Sequence, residues 1–238
     1  MNDERGNLLS IHRLKKSYLI ENGRTMKQER VEVIRELSLD VREKEAVCIM
    51  GRSGCGKTTL LKILGGLLAP TEGVIYYRKE ALSGYTGKRM EAYRRRQVGF
   101  VFQDYKLLDH MSVRDNMILP LLLEHRNVEE ALRRVEEMAA RLQIGNRLEY
   151  YPNELSGGEK QRAAIGRALM NDPELILADE PTGNLDEASG RMVMELLTGL
   201  QKELHKTLVL VTHDKEIAGY CDRTVVIRDG RIEKDRVH

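Results

Sequence analysis

Ala46-Val47-Cys48-Ile49-Met50-Gly51-Arg52-Ser53-Gly54-Cys55-Gly56-Lys57-Thr58-Thr59 is the stretch of sequence that decides the fold. An apolar run ends at Met50, a glycine-rich segment follows, and the apolar positions from Leu60 onwards are typical of a helix. The segment fits the pattern G-x-x-x-x-G-K-T/S in its strand-loop-helix setting. Its glycines let successive backbone N–H groups point at phosphate oxygens, and the helix N-terminus adds its positive dipole. We therefore predict a phosphate-binding loop, formed by Gly51, Arg52, Ser53, Gly54, Cys55, Gly56, Lys57, Thr58 and Thr59.

The chemistry expected of this loop needs a metal and a second acidic element. Lys57 should reach the β and γ phosphates of a nucleotide, and the Thr58 hydroxyl should ligate Mg²⁺. The run Leu175 to Ala178 leads directly into Asp179 and Glu180. Asp179 is expected to hold Mg²⁺, and Glu180 to orient or deprotonate the attacking water. Adjacent acids after a strand are often only a solvated turn, but beside a phosphate loop they predict a hydrolytic site.

Composition limits the other possibilities. The 238 residues carry 39 Lys plus Arg against 37 Asp plus Glu, a net charge of +2, with 41% apolar residues, which is typical of a globular protein and not of a disordered one. The apolar runs are far shorter than the ~20 residues of a membrane span. Three cysteines without metal-ligand spacing, and no signal segment, favour the reducing cytoplasm.

Five Lys and Arg residues form a basic cluster between residues 88 and 96. A solvated helix face or a contact with anionic lipid headgroups explains it better than a nucleic-acid site, because Tyr93 is the only aromatic residue among them. We therefore expect no nucleic-acid partner.

The order of periodic segments predicts the architecture. A helical pattern covers about 112 to 171, best seen in the segment 128 to 142, where Asn127 and Glu130 form a plausible cap, and a second helix covers 187 to 204. Polar residues 19 to 30 are predicted to be a flexible hairpin loop. Strand-helix-strand alternation with apolar strands predicts a buried, largely parallel sheet. Strands are predicted at Leu8 to Leu14, Val31 to Val41, Ala46 to Met50, Gly73 to Tyr77, Val98 to Phe102, Leu175 to Ala178, Leu208 to Thr212 and Thr224 to Ile227.

Further motifs occur once each and in a fixed order. They are Gly99-Phe100-Val101-Phe102-Gln103, Leu155-Ser156-Gly157-Gly158-Glu159, Gly183-Asn184-Leu185-Asp186 and Val211-Thr212-His213-Asp214. Together with the phosphate loop and the acidic strand, they make nearly the whole chain resemble the ATP-binding cassette family. The resemblance implies an α/β fold: a P-loop NTPase with a RecA-like core sheet, an antiparallel β subdomain and an inserted α-helical subdomain. We expect one domain over 1–238, with the helical insertion at about 104–171.

The resemblance also assigns roles to residues. His213 would hold the γ-phosphate and position water, Gln103 would contact Mg²⁺ or the water, and Asp186 would bridge two cassettes. Tyr18 would stack on adenine, although an ordinary strand-end tyrosine remains an alternative. Ser156, Gly157, Gly158 and Glu159, the signature loop, would bind the ATP held by the phosphate loop of a second cassette, so that a dimer contains two composite sites.

Other sequence segments resemble those of the group of lipoprotein-release, macrolide-export and peptide-resistance cassettes. These segments include Leu64-Gly65-Gly66-Leu67 and Asn116 to Leu121. The resemblance implies a cytoplasmic subunit, peripheral on the inner face of the membrane, that drives a separate permease. Residues 117–123 and the loop after Gln103 are the expected docking region, although most of these leucines could instead pack inside the helical subdomain. A non-transport regulator of the cell-division type stays open, as does the substrate. A soluble cassette acting on ribosomes or DNA is disfavoured, because the chain has one motif set and no long coiled coil.

Overall fold

The computed structural model describes residues 6–22 and 27–238. Its strands are β1 Asn7–Asn22, β2 Lys27–Arg42, β3 Ala46–Met50, β4 Glu72–Tyr77, β5 Glu80–Ala81, β6 Val98–Val101, β7 Leu175–Asp179, β8 Thr207–Thr212, β9 Arg223–Arg228 and β10 Arg231–Val237. Its helices are α1 Lys57–Leu64, α2 Gly87–Ala92, α3 Val113–Leu123, α4 Val128–Arg141, α5 Gly157–Leu169, α6 Glu187–Glu203 and α7 Lys215–Ala218. Short 3₁₀ turns lie at Leu82–Gly84, Gly145–Arg147 and Pro152–Glu154, and a π-type turn at Tyr93–Gln97.

The predicted buried, largely parallel sheet is confirmed. Within the described residues its strands have the order β10-β9-β3-β8-β7-β6, and every neighbouring pair from β9 to β6 is parallel. All residues of β7 and β8 are buried, because helices or strands cover both faces of the sheet. The carboxyl ends of β3, β7 and β8 therefore meet at one edge of the sheet.

Two hydrophobic cores lie on opposite faces of this sheet. Alternate residues of each strand belong to different cores: Leu208 and Leu210 pack with α3, α4, α5 and α6, while Val209 and Val211 pack with α1 and the antiparallel strands. This period of two is the side-chain alternation of a strand. The division places the helical part of the chain on one face and the antiparallel sheet on the other.

The antiparallel sheet has the order β2-β1-β4-β5 in the described part of the chain. The predicted hairpin loop over 19–30 is wrong at both ends, because β1 continues to Asn22 and β2 begins at Lys27, with Leu19 paired to Arg30. Residues 23–26 of that prediction lie outside the described residues. These strand ends left no sign in the sequence because the described side chains here, Tyr18, Leu19 and residues 28–32, are exposed and form no apolar face; backbone pairing holds the ribbon instead. The charged edge strand β10 escaped prediction for the same reason.

Capped helices form the segment between β6 and β7. Asn127 accepts hydrogen bonds from the N–H groups of Glu129 and Glu130, which confirms the predicted cap of α4. In this predicted helical segment Ala131, Val135, Met138 and Leu142 are buried, whereas Val128 is exposed. Pro120 lies inside α3. In the described part of the chain no helix combines the length and the apolar character needed to cross a membrane.

Ion pairs account for much of the basic cluster between residues 88 and 96. Arg89 pairs with Glu80, and Arg95 and Arg96 both pair with Glu124 of the helical segment. Arg94 donates to the carbonyl of Gly66. These contacts tie the turn before β6 to its neighbours, in agreement with a solvated structural surface.

Candidate ATP-binding site

The predicted phosphate loop connects β3 to α1. Gly56 is the N-cap of α1 and has φ +99°, a conformation that glycine adopts without steric cost. A Cβ at Gly56 would lie 2.9 Å from the carbonyl oxygen of Val33 in β2. In the structure described here no side chain caps α1. The first-turn N–H groups of α1 are therefore available to an anion.

The side chain of Lys57 folds back over this loop. Its Nζ donates to the carbonyl oxygens of Gly51 and Arg52 at 2.8 and 3.3 Å and lies 3.9 Å from Oε1 of Glu180. The residue is buried although it carries a charge. A buried ammonium group at the opening of the loop is suited to neutralising phosphate charge.

A hydroxyl and a carboxylate meet beside the lysine. Thr58 Oγ1 donates to Oδ1 of Asp179, the last residue of β7, at 2.9 Å. Burial raises the pKa of Asp179, and the nearby Glu180 carboxylate adds to that rise, whereas the hydrogen bond from Thr58 opposes it. Oxygen ligands of this kind are those that Mg²⁺ prefers, and a cation would offset the burial of the carboxylate. Thr58 and Asp179 therefore fit the predicted metal ion.

Glu180 lies where the chain leaves β7. Its φ of +46° is unusual for a residue with a side chain, and its N–H is fixed by the carbonyl oxygen of Val211 at 3.0 Å. The carboxylate accepts from, or shares a proton with, Nδ1 of His213, at 3.1 and 3.0 Å from its two oxygens. Glu180 is largely buried, while His213 is exposed. The Glu180 carboxylate lies at the edge of the sheet beside Lys57, whose Nζ is 3.9 Å away.

Gln103 follows β6, and its contacts are with the segment after β7. Its Nε2 lies 3.4 Å from Oδ1 of Asn184, and Asn184 Nδ2 donates to its carbonyl oxygen at 2.9 Å. A Cβ at Gly183 would lie 2.9 Å from Gln103 Nε2. Gln103 is therefore joined to residues 183–184 and, within the described residues, makes no hydrogen bond to Thr58 or Asp179. Asn184 was part of a predicted motif, but its pairing with Gln103 was not predicted.

The predicted signature loop lies at the start of α5. Ser156 is the N-cap, and its hydroxyl and N–H donate to Oε2 of Glu159 at 2.8 and 2.9 Å. A Cβ at Gly157 would lie 3.0 Å from Leu185 and 3.1 Å from the Tyr105 hydroxyl. Among the described residues no contact joins 156–159 to the phosphate loop. One chain therefore presents, at separate places, two helix N-termini of the kind that can bind an anion.

Tyr18 and Asp186 lie at the margins of the site. Tyr18 is partly exposed on β1, paired with Val31, and the ammonium group of Lys16 lies 5.2 Å from its ring centre. A cavity of about 1130 Å³ is lined by Val31, Val33, residues 51–55 and His213, but not by Tyr18. Asp186 caps α6 by accepting from the N–H of Ser189. Hydrogen bonding with the Ser189 side chain, and next with its N–H, lowers the pKa of Asp186.

Two side-chain contacts to the loop that follows Gln103 were not predicted. Arg167 of α5 donates to the carbonyl oxygens of Tyr105 and Lys106, and Asn116 of α3 bonds both backbone groups of Leu108. The signal for Asn116 was a polar residue at a core-facing position of an apolar helix. Both residues fix the loop that follows Gln103.

Comparison with known proteins assigns the family. Residues 34–183 match the family model described as ABC transporter. The chain is 40% identical over 202 residues to the lipoprotein-releasing system ATP-binding protein LolD of Cytophaga hutchinsonii, covering 85% of this chain and 92% of that protein. It is 44% identical over 209 residues to the macrolide export ATP-binding/permease protein MacB 1 of Aeromonas hydrophila, covering 88% of this chain and 32% of that protein.

Among solved structures, the fold resembles the ATP-binding cassette MJ0796, a dimer in a post-hydrolysis state bound to ADP and Pi. The TM-score is 0.87 at 35% identity, covering 96% of this chain and 98% of that one. The protein therefore belongs to the ATP-binding cassette family of ABC transporters. It is an ABC-type ATPase cassette with the P-loop NTPase fold, as its motifs predicted.

Proposed function

We propose that this cassette is the ATP-hydrolysing subunit of an export or mechanotransmission complex, and that it drives a separate membrane permease by closing and opening as a dimer. The observation that carries the proposal is the separation of the two helix N-termini, at Gly56 and at Ser156, within one chain. Each is half of an ATP site. A second cassette in head-to-tail orientation supplies the missing half of each.

ATP binds first to the phosphate loop. Residues 51–59 surround the phosphates with backbone N–H groups, and Lys57 exchanges its bonds to backbone carbonyl oxygens for bonds to the phosphates. Tyr18, exposed on β1, stacks on adenine. Thr58 and Asp179 would hold Mg²⁺, and Gln103, which contacts Asn184 here, would contact the metal ion or the attacking water. The metal ion, when bound, neutralises part of the phosphate charge.

Hydrolysis depends on the carboxylate of Glu180, which follows β7. Glu180 accepts a proton from the attacking water, and Lys57 stabilises the charge that develops on the γ-phosphate. His213 bonds Glu180 through Nδ1, and an N–H at Nε2 donates to a γ-phosphate oxygen, an arrangement in which both ring nitrogens carry a proton. The imidazole thereby holds the γ-phosphate while the carboxylate is oriented.

The partner chain completes the site. Ser156, Gly157, Gly158 and Glu159 of one cassette meet the γ-phosphate bound by the other, and Asp186 lies between them at the start of α6. Loss of the γ-phosphate removes the contacts that hold the two chains together. ATP hydrolysis is thereby converted into opening of the dimer.

The permease contact is proposed from the helical segment. Met117, Ile118 and Leu121 of α3 are buried, whereas Leu122 and Leu123 are exposed. Leu108, in the loop after Gln103, is exposed as well. A permease segment that docks on this surface would be connected, through the loop after Gln103, to Gln103 and to the nucleotide. It would hold the cassette at the inner face of the membrane.

Photocrosslinking tests the permease proposal. A crosslinker placed at exposed positions within 104–112 should capture a co-purified integral membrane protein, and the same probe on the exposed Gly199 of α6 should not. Crosslinks confined to other surfaces would contradict the docking surface. A captured membrane protein that transports nothing but controls a cell-wall hydrolase would select the regulatory alternative.

A further inference from the structure

Arg147 lies ahead of the signature loop, in the 3₁₀ turn Gly145–Arg147. Its Nε donates to Oε1 of Glu159 at 2.6 Å, and its guanidinium lies 4.9 Å from the centre of the Tyr150 ring. Glu159 is mostly buried in this contact. The arginine therefore binds the one carboxylate oxygen that the N-terminal cap of α5 leaves free.

The cap itself does not require an arginine. Ser112 and Asp115 form the same reciprocal cap at the start of α3, with the Ser112 hydroxyl 2.7 Å from Oδ2 of Asp115. Asp115 has no ion pair within the described part of the chain. The arginine at the second cap therefore serves something other than the start of a helix.

Electrostatics supplies the reason. Under the proposed function, Ser156 and the N–H groups beside it meet the γ-phosphate of ATP held by the partner, and an anionic carboxylate 2.8 Å from that hydroxyl would repel it. The Ser156 hydroxyl has one proton, which goes either to Glu159 or to the phosphate. The hydrogen bond from Arg147 is the largest of the effects that lower the pKa of Glu159 to about 2, so the carboxylate stays ionised and paired.

We propose that Arg147 is a positioning residue of the composite ATP site, one that neutralises Glu159 and so allows the Ser156 hydroxyl to turn from that carboxylate to the partner's γ-phosphate. Arg147 acts through Glu159 and does not touch the nucleotide. Because it belongs to the half-site offered in trans, it affects dimer formation and leaves ATP binding by the phosphate loop of its own chain unchanged. The inference rests on the proposed dimer.

The test uses the full chain with Glu180→Gln, which slows hydrolysis, and measures the ATP-dependent dimer dissociation constant by sedimentation. Adding Arg147→Gln should weaken the dimer about tenfold, the effect of one uncompensated charge at an interface. The ATP affinity of the monomer, measured with a fluorescent nucleotide at low protein concentration, should stay within about twofold, because no contact of the phosphate loop changes. Arg141→Gln, which breaks the 2.9 Å ion pair between Arg141 of α4 and Glu203 of α6, is the matched control and should have no effect on either constant.

A double-mutant cycle separates charge from packing. In a Glu159→Gln background there is no carboxylate to neutralise, so Arg147→Gln should cost less than about twofold there. The inference would be overturned if Arg147→Gln weakened the dimer equally with Glu159 and with Glu159→Gln. It would also be overturned if Arg147→Gln did not weaken the dimer when Glu159 is present. If the Glu180→Gln parent stays monomeric at saturating ATP, the dimer proposal itself is wrong, and the inference about Arg147, which depends on it, is wrong as well.

Discussion

Replacing Asn116 with alanine should release the loop that follows Gln103. Asn116 is fully buried in α3, and its Oδ1 accepts from the N–H of Leu108 at 2.7 Å. Its Nδ2 donates to the carbonyl oxygens of Leu108 and Met111, both at 3.1 Å. These three bonds join the helix to the loop, whereas a fourth, to the carbonyl oxygen of Ser112, lies within the first turn of the helix.

The magnitude follows from those three bonds. Each neutral hydrogen bond contributes about 1 kcal/mol net, so Asn116→Ala should lower the free energy of opening the loop by about 3 kcal/mol. Because 1.4 kcal/mol corresponds to a factor of ten, the Leu108 amide should exchange with solvent deuterium about a hundredfold faster. Amides in β8 should keep their protection, since the cost falls on a local opening and not on the sheet.

Hydrogen exchange read by NMR or mass spectrometry measures this directly. The control Asn153→Ala changes an exposed asparagine on the 3₁₀ turn Pro152–Glu154 and should leave Leu108 exchange unaltered. An acceleration below about fivefold at Leu108, which is less than one hydrogen bond's worth, would refute the reasoning. Equal acceleration throughout the chain would show that Asn116 supports the whole fold and not the loop.

Three further changes test other parts of the structure. Gly56→Ala forces a side chain into a positive φ and should destabilise the fold by at least about 1–2 kcal/mol in urea unfolding, whereas Gly199→Ala, in an open helical position, should be neutral or stabilising. Burial raises the pKa of Glu174, but the hydrogen bonds from Arg78 and Tyr77 outweigh this effect, so that the pKa is lowered. The ion pair between Glu174 and Arg78 should therefore stabilise the fold at pH above the ordinary carboxyl pKa of about 4. This stabilisation should be lost as pH falls through the lower pKa of the folded state. Thermal melts from neutral to acid pH should show a smaller loss of Tm for Glu174→Gln, and an unchanged slope would count against the pair. Alkylation of the partly exposed Cys55 should block nucleotide binding, and ATP should protect the thiol from alkylation. Complete labelling with unchanged ATP affinity would show that the phosphate loop is assigned wrongly.

The buried part of the fold was predictable because burial leaves a pattern. The strand Ala46–Met50 was predicted with its observed bounds, since an apolar run of five residues ended by glycine is typical of a central parallel strand. The continuation of the first two strands beyond Tyr18 and the charged strand Arg231–Val237 were not predicted. Backbone pairing holds them, and it leaves no mark on the side chains.

The site divides in the same way. Local motifs predicted that Thr58 and Asp179 would lie together, because strand-end residues of a parallel sheet meet at one edge, and their hydroxyl and carboxylate are in contact. The predicted roles of the site residues remain proposals. The pair of Arg147 with Glu159 was not predicted, since Glu159 belonged to a recognised motif but nothing in the sequence around Arg147 marked it as the partner.

The central claim is that each ATP is held by the phosphate loop of one chain and the signature loop of another. The most direct measurement is the sedimentation mass of the Glu180→Gln chain with and without ATP, compared with the same chain carrying Ser156→Arg. We expect ATP to convert the first from monomer to dimer, while the second binds ATP with unchanged affinity and stays monomeric. A Glu180→Gln chain that stays monomeric at saturating ATP, or a Ser156→Arg change that abolishes ATP binding by the monomer, would contradict the account.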